Sequence, residues 1–321
     1  MNYNPIILVA GDPNSIFLEI FFKSLKIKKF NSPIILICSQ KLLKLNMRNL
    51  NFKMKIKNLN YKSLNNYNLN NSSINLINIE YNNKDFLNKD NVKSNKYINN
   101  CFEVAFKLIN DGITKKFING PITKTTFLKK KFLGITEYIA SNFSVKKNAM
   151  LIYNKKLSVC PITTHLPLKL VSKKINIKLL KEKVNLIENF YINKFKYKPK
   201  IAILGLNPHC ESIDKFDEDE KILKPAIKYL KKLNYSVSGP LPADTVFLKK
   251  NRIKYDVILG MYHDQVLSPF KTLFEYDAIN ITLGLPFTRI SPDHGPNKAM
   301  VGLNKSNPTS LIKAITFLDK N

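Results

Sequence analysis

The chain holds only four histidines, and three of them lie in separate short polar motifs: Thr163-Thr164-His165-Leu166-Pro167, Leu206-Asn207-Pro208-His209 and Tyr262-His263-Asp264-Gln265. Neutral imidazole is the commonest protein ligand for Zn²⁺ and similar ions. Any one of these histidines, taken alone, reads better as a satisfied structural residue. Three of four placed where apolar runs end point instead to a single three-nitrogen metal site. Three neutral ligands leave a cation its full charge and open positions for a substrate, which suits polarising a hydroxyl or a carbonyl. Imidazole donors suit Zn²⁺ well and Co²⁺ nearly as well. Asp244 and Asp264 are the carboxylates best placed to assist, by accepting the second N–H of a ligand imidazole or by moving a proton. Capping or turn formation is the alternative for each. Cys210 follows His209 directly, but successive side chains diverge, so it stays outside the ligand set.

These motifs need strands to carry them. Short apolar, β-branched runs alternate with helical patterns, the mark of an α/β fold with a mainly parallel sheet. The spacing predicts strands over 6–10, 34–38, 117–119, 150–153, 158–162, 201–204, 257–261 and 279–283. Helices are expected over 15–25, 100–111, 177–195, 219–233 and 308–318. Ligands in open α/β sheets bind outside the carboxyl ends of the strands, where the polar motifs fall. At 321 residues the chain is expected to form two domains, 1–130 and 131–289, with a crossover near Lys130 and 290–321 returning to the first. Residues 51–100, crowded with Asn, Lys and Ser, look least structured.

Composition narrows the function classes. Lys and Arg number 52 against 23 Asp and Glu, a formal charge of +29, which by itself suggests a polyanion partner. The lysines are spread along the whole chain, however, and accompany many Asn, Ile and Tyr with no Trp and ten Gly. A genome drifting toward A/T gives this profile without selection for binding, and no RNA-binding or zinc-finger pattern is visible. A specific nucleic-acid function is therefore not expected. No run of 18 apolar residues occurs, and the start of the chain lacks a basic region before Asp12, so neither a membrane span nor a signal peptide is expected. Four cysteines without CxxC spacing read as free thiols of a cytoplasmic protein. None of the ten glycines forms GxGxxG, which excludes the ordinary dinucleotide fingerprint but not a nicotinamide cofactor.

In chain order, Gly11-Asp12-Pro13, Asn119-Gly120-Pro121-Ile122-Thr123-Lys124, Thr136-Glu137-Tyr138, the three histidine motifs, Gly239-Pro240-Leu241-Pro242-Ala243-Asp244-Thr245, Asn280-Ile281-Thr282-Leu283-Gly284 and Ser291-Pro292-Asp293-His294-Gly295 resemble the 4-hydroxythreonine-4-phosphate dehydrogenases of vitamin B6 biosynthesis. The series spans residues 6–295. The resemblance implies two α/β/α domains flanking a cleft, as in isocitrate and isopropylmalate dehydrogenases, and a homodimer with its site at the subunit interface. It also implies a divalent metal (zinc, magnesium or cobalt) and NAD or NADP as hydride acceptor. The implied reaction is oxidative decarboxylation of 4-phosphooxy-L-threonine to 3-amino-2-oxopropyl phosphate and CO₂. By the same resemblance His165, His209 and His263 are the metal ligands. Thr136, Lys271, Asn280 and Arg289 hold the substrate, with Lys271 also at the chemistry, and His294 lies near the cofactor.

Several positions depart from the family pattern. Ile135 stands where a substrate-contacting histidine is usual, and losing such a contact to an anion costs on the order of 1.5–3 kcal/mol. Asp-Pro-Asn-Ser-Ile-Phe replaces small residues after Gly11, Cys210-Glu211 replaces Ala-Gly-Glu, and Pro-Asn-Lys follows Gly295. The triad survives these changes. They leave open a relative acting on another phosphorylated hydroxy acid, such as phosphorylated threonate, and from a different class a metal-dependent hydrolase.

Overall fold

The computed structural model describes residues 3–81, 91–123, 127, 128, 132, 134–213 and 216–319. The chain divides into two compact units, Met1–Ile135 with Pro286–Asn321, and Thr136–Leu285. Lys130, the expected crossover, lies outside the described residues, as does Lys124. Each unit is an α/β structure. No helix among the described residues is long and apolar enough to cross a membrane.

The first unit contains β1 (Ile6–Val9), α1 (Phe17–Ile27), β2 (Ile34–Cys38), α2 (Gln40–Asn49), β3 (Ile56–Asn58), β4 (Ile74–Asn78), α3 (Asn91–Asn110) and β5 (Lys116–Asn119). β1 and β2 are wholly apolar and buried, which is what a parallel strand covered on both faces requires. Ser39 caps α2 by accepting from the Leu42 amide.

The second unit runs through α4 (Ile135–Asn142), β6 (Ala149–Asn154), β7 (Leu157–Thr163), α5 (Ile177–Phe195), β8 (Ile201–Leu204), α6 (Lys224–Lys232), β9 (Val237–Leu241), β10 (Val257–Tyr262), α7 (His263–Phe274) and β11 (Ile279–Leu283). Its strand order is β11-β6-β7-β10-β8-β9. β6 pairs antiparallel with both β11 and β7, and the remaining pairs are parallel. β10 thus inserts between β7 and β8. α7 buries Val266, Leu267 and Phe270, which join a core cluster with Val159, Leu204 and Ile258. Each such side chain contributes on the order of 2 kcal/mol of transfer free energy, enough to hold the start of α7 against the sheet.

The chain then re-enters the first unit as β12 (Thr288–Pro292) and α8 (Thr309–Asp319), completing a parallel order β3-β4-β2-β1-β5-β12. Buried Glu19 in α1 pairs with Lys23 at 2.8 Å and accepts the Ser306 amide at 2.7 Å. Asp319 at the end of α8 accepts the amides of Asn31 and Ser32 before β2. These carboxylates fasten the returning segment.

Four strands were not expected from the sequence: β3, β4, β9 and β12. β4 lies in the Asn-rich 51–100 stretch, where Asn75 is only 1% exposed because its amide group donates to Ile34 O at 3.1 Å and Asn70 O at 2.8 Å. β9 contains Gly239-Pro240 and β12 contains Arg289 and Pro292, residues that weaken a strand signal. The helices α2, α4 and α7 were likewise unexpected. α7 begins on His263 itself, so no loop separates that residue from β10.

Candidate active site

The strand order explains how three distant motifs reach one edge. β7, β10 and β8 are consecutive neighbours, all parallel, and His165, His263 and His209 follow their carboxyl ends in that order. The β7–β10 ladder persists to Thr163↔Tyr262, immediately before two of the histidines. The rings of His165 and His263 consequently lie 5.9 Å apart between centroids, tilted by 36°. Two imidazoles bound to one cation through ~2.1 Å bonds can have ring centres up to about 6 Å apart, so this pair fits a shared ion. His263 Nδ1 donates to Asp264 Oδ1 at 2.6 Å, which leaves the lone pair on Nε2.

His209 is placed differently. The β8–β10 ladder stops at Leu259↔Ile203, and the residues from Gly205 to Cys210 leave the sheet. His209 and Cys210 both adopt left-handed backbone, φ 56° and 62°, a conformation costing on the order of 1 kcal/mol or more for a residue with a side chain. The His209 ring is exposed. Among the described residues it does not join His165 and His263 in a group of three or more side chains able to hold a metal. The structure therefore brings two of the three expected ligands together and leaves the third on an adjoining strained turn. Cys210 is buried, and desolvation first, then the Asp219 carboxylate, push its thiol up.

The other expected residues divide between the units. In the second, Thr136 and His165 line a polar cavity of about 70 Å³ together with Glu137, Thr164 and Lys183. Glu137 Oε2 in this wall is buried and has no hydrogen-bond partner among the described residues. Asn280, on β11 opposite Ile152, has a buried Oδ1 in the same condition. Lys271 lies in the last turn of α7, and Asp244 is exposed in the helical turn Ala243–Val246. In the first unit Arg289 is 0% exposed and donates from Nε to Asn119 Oδ1 at 2.8 Å. His294 Nδ1 lies 2.9 Å from Gly295 O.

Three residues stand out at these positions without having drawn attention as such in the sequence: Glu137, for its buried oxygen, and Asp219 and Gln265, for their hydrogen bonds. Glu137 adjoins Thr136 and Gln265 closes the His263 motif, so proximity to a motif was their only signal. Asp219 is fully buried and accepts the amides of Leu206 and Asn207, both at 2.9 Å, ten or more residues away in sequence. Nothing local marks it.

The model of the family described as "Pyridoxal phosphate biosynthetic protein PdxA" matches residues 29–318. A 4-hydroxythreonine-4-phosphate dehydrogenase of Sulfurihydrogenibium sp. (strain YO3AOP1) is 37% identical over 339 aligned positions, covering 96% of this chain and 95% of the relative. The dehydrogenase of the same name from Wigglesworthia glossinidia brevipalpis is 39% identical over 71% of this chain and 70% of its own length. Among solved structures, that of the Klebsiella pneumoniae 4-hydroxythreonine-4-phosphate dehydrogenase superposes with a TM-score of 0.82 at 26% identity, covering 98% of each chain. Matching across nearly its whole length in both sequence and fold, this chain belongs to the PdxA family of pyridoxal phosphate biosynthetic proteins.

Proposed function

We propose that this chain is a metal- and nicotinamide-dependent oxidoreductase that converts 4-phosphooxy-L-threonine to 3-amino-2-oxopropyl phosphate and CO₂ with reduction of NAD⁺ or NADP⁺. Relatives that share its length are named for that dehydrogenase. The observation that carries the reading is the His165–His263 pair at 5.9 Å, with Asp264 on Nδ1 of the His263 ring.

In this reading His165, His209 and His263 hold a divalent ion. Bound there, the ion supplies positive charge beside the C3 oxygen and the nicotinamide supplies an acceptor for the C3 hydride. The chain's own residues do the rest. Asp264 fixes the His263 tautomer, so Nε2 stays a donor of electrons. Lys271 and Arg289 contribute charge toward phosphate and carboxylate, and the Arg fork suits bidentate contact. Asn280 Oδ1 and Glu137 Oε2, buried acceptors without partners among the described residues, suit the substrate's hydroxyl and ammonium donors. Thr136 adds a hydroxyl to the same wall as Glu137. Exposed Asp244 is free to take a proton to solvent, and His294 adjoins the cofactor. The working unit in this reading is a homodimer in the cytoplasm.

The test is direct: purified protein with 4-phosphooxy-L-threonine, either nicotinamide, and Zn²⁺, Mg²⁺ or Co²⁺ in turn, followed by nicotinamide absorbance and CO₂ release. Reduction with CO₂ release is expected. Silence with every ion and both nicotinamides overturns the reading. A response only to phosphorylated threonate would move the substrate and trace to Ile135. Turnover without a nicotinamide would replace the dehydrogenase with a hydrolase.

A further inference from the structure

One side chain ties the strained His209 turn to the His165–His263 pair. Gln265 lies in the first turn of α7, two residues after His263. Its Oε1 accepts the Met261 amide at 2.7 Å, and its Nε2 donates to Gly205 O at 2.8 Å. Met261 O in turn accepts from Thr163 Oγ1 at 2.7 Å. A continuous hydrogen-bonded path therefore runs from the strand before His165, through the strand before His263, to the loop before His209. It crosses the sheet where the β8–β10 ladder has already ended at Ile203. On the far side, Asp219 holds the next two amides of the loop, Leu206 and Asn207, with both carboxylate oxygens. Gly205 is the residue where the two anchors meet. A Cβ there would come 2.7 Å from Cys210 Sγ and 2.8 Å from Asp219 Oδ1.

We propose that Gln265 is a positioning residue that sets the His209 loop against the His165–His263 pair, with Asp219 as the opposing anchor. The role rests on the metal-site reading above. A backbone turn in left-handed conformation at two successive residues with side chains has other states open to it, and it keeps this one only if the surroundings over-determine it. β-Ladder bonds do that for His165 and His263. For the His209 loop, the hydrogen bonds of Gln265 and Asp219, with that of the Gly205 amide to Leu241 O, take their place. Gln265 alone among these links His209 to the neighbouring histidine strand.

The experiment measures Co²⁺ and Zn²⁺ binding to the full chain, by visible absorption and by chelator competition, so no turnover is needed. Gln265→Met keeps length and removes both hydrogen bonds. It is expected to weaken metal binding about 10–100-fold and to shift the Co²⁺ spectrum toward that of His209→Ala. The same substitution in a His209→Ala background is expected to cost nothing further, because the residue it acts through is gone. A purely structural Gln265 would cost the same in both backgrounds, which overturns the proposal. So would a Gln265→Met protein that binds as the parent does. If Gln265→Met does not fold, Asp219→Asn is put through the same cycle, and additivity there also overturns the proposal. Failure of the underlying reading looks different: the parent chain then binds metal no better than a variant lacking His165, His209 and His263.

Discussion

The carboxyl ends of the strands are built by opposite means in the two units. In the first they are closed by packing. Gly11, at φ 81°, and Gly120 bring the ends of β1 and β5 together so tightly that a Cβ on Gly120 would strike Ala10 O and come 2.8 Å from the Phe17 ring. Asp12 accepts the Asn14 amide and the Thr123 hydroxyl, and Arg289 donates from Nε to Asn119 Oδ1. In the second unit the ends are held by side-chain hydrogen bonds, through Thr163, Gln265 and Asp219, and the imidazoles stay reachable. A strand end filled by packed backbone gives rigidity, whereas one bridged by polar side chains leaves room for chemistry.

If that contrast is right, the most damaging change belongs to the second unit. His263→Ala removes one of the two converging rings and should lower kcat/KM on the order of 10³-fold, the several kcal/mol that positive charge at a reacting oxygen supplies. The melting temperature should hardly move, since the ring is partly exposed. A variant with near-normal turnover would mean that the paired histidines do not serve the reaction.

Next comes the first unit, where the readout reverses. Gly120→Ala forces a methyl group against backbone and should cost about 3 kcal/mol of stability by overpacking. For a unit of this size that is a drop of about 6–12 °C in Tm. Metal binding by the folded fraction should be unchanged. Calorimetry alongside Co²⁺ titration separates the two effects, and a Tm within about a degree of the parent would show that this joint has slack.

The reach of the sequence can be judged against the same contrast. Apolar strand bodies were legible because their residues answer only to burial. β2, β8 and β11 have the expected bounds, and α5, with Asn176 accepting the Leu179 amide at its start, runs over the expected residues. Polar strands were not legible. Asn75 donates from Nδ2 to Ile34 O, a partner 41 residues away, and no local pattern encodes that. At the strand ends, residue types drew the eye to the histidines, and the bond of Asp264 to His263 was legible because the two are neighbours in sequence. Asp219 was not, because a buried carboxylate that serves distant amides resembles any acidic residue at a helix start. Arg289 stands between these cases: a motif marks it, and the buried bond from its Nε to Asn119 Oδ1 joins partners 170 residues apart, which no local pattern encodes.

Asp264→Asn tests the polar arm at a single atom. The amide presents one acceptor oxygen but no charge, so the His263 tautomer is held less firmly. Metal affinity should fall about 10–100-fold, the usual loss when an orienting carboxylate is removed. Because Asp264 is 77% exposed, stability should stay the same. A drop in Tm without a drop in affinity would make Asp264 a helix-start residue, favourable near the N-terminus of α7, and nothing more.

The smallest effect is expected at Thr163, and it discriminates best between the two ways of holding a histidine. Thr163→Val keeps the branched shape and removes the hydroxyl that donates to Met261 O at 2.7 Å. One neutral hydrogen bond is worth about 1 kcal/mol, so Tm should fall by a few degrees. Metal affinity should change by no more than about twofold, because the β7–β10 ladder already pairs Thr163 with Tyr262 and carries both rings without help. Gln265 has no such ladder beneath it. If Thr163→Val instead weakened metal binding as strongly as Gln265→Met, the ladder would not be what holds His165 beside His263, and the two histidines would depend on side-chain bonds as fully as His209 does.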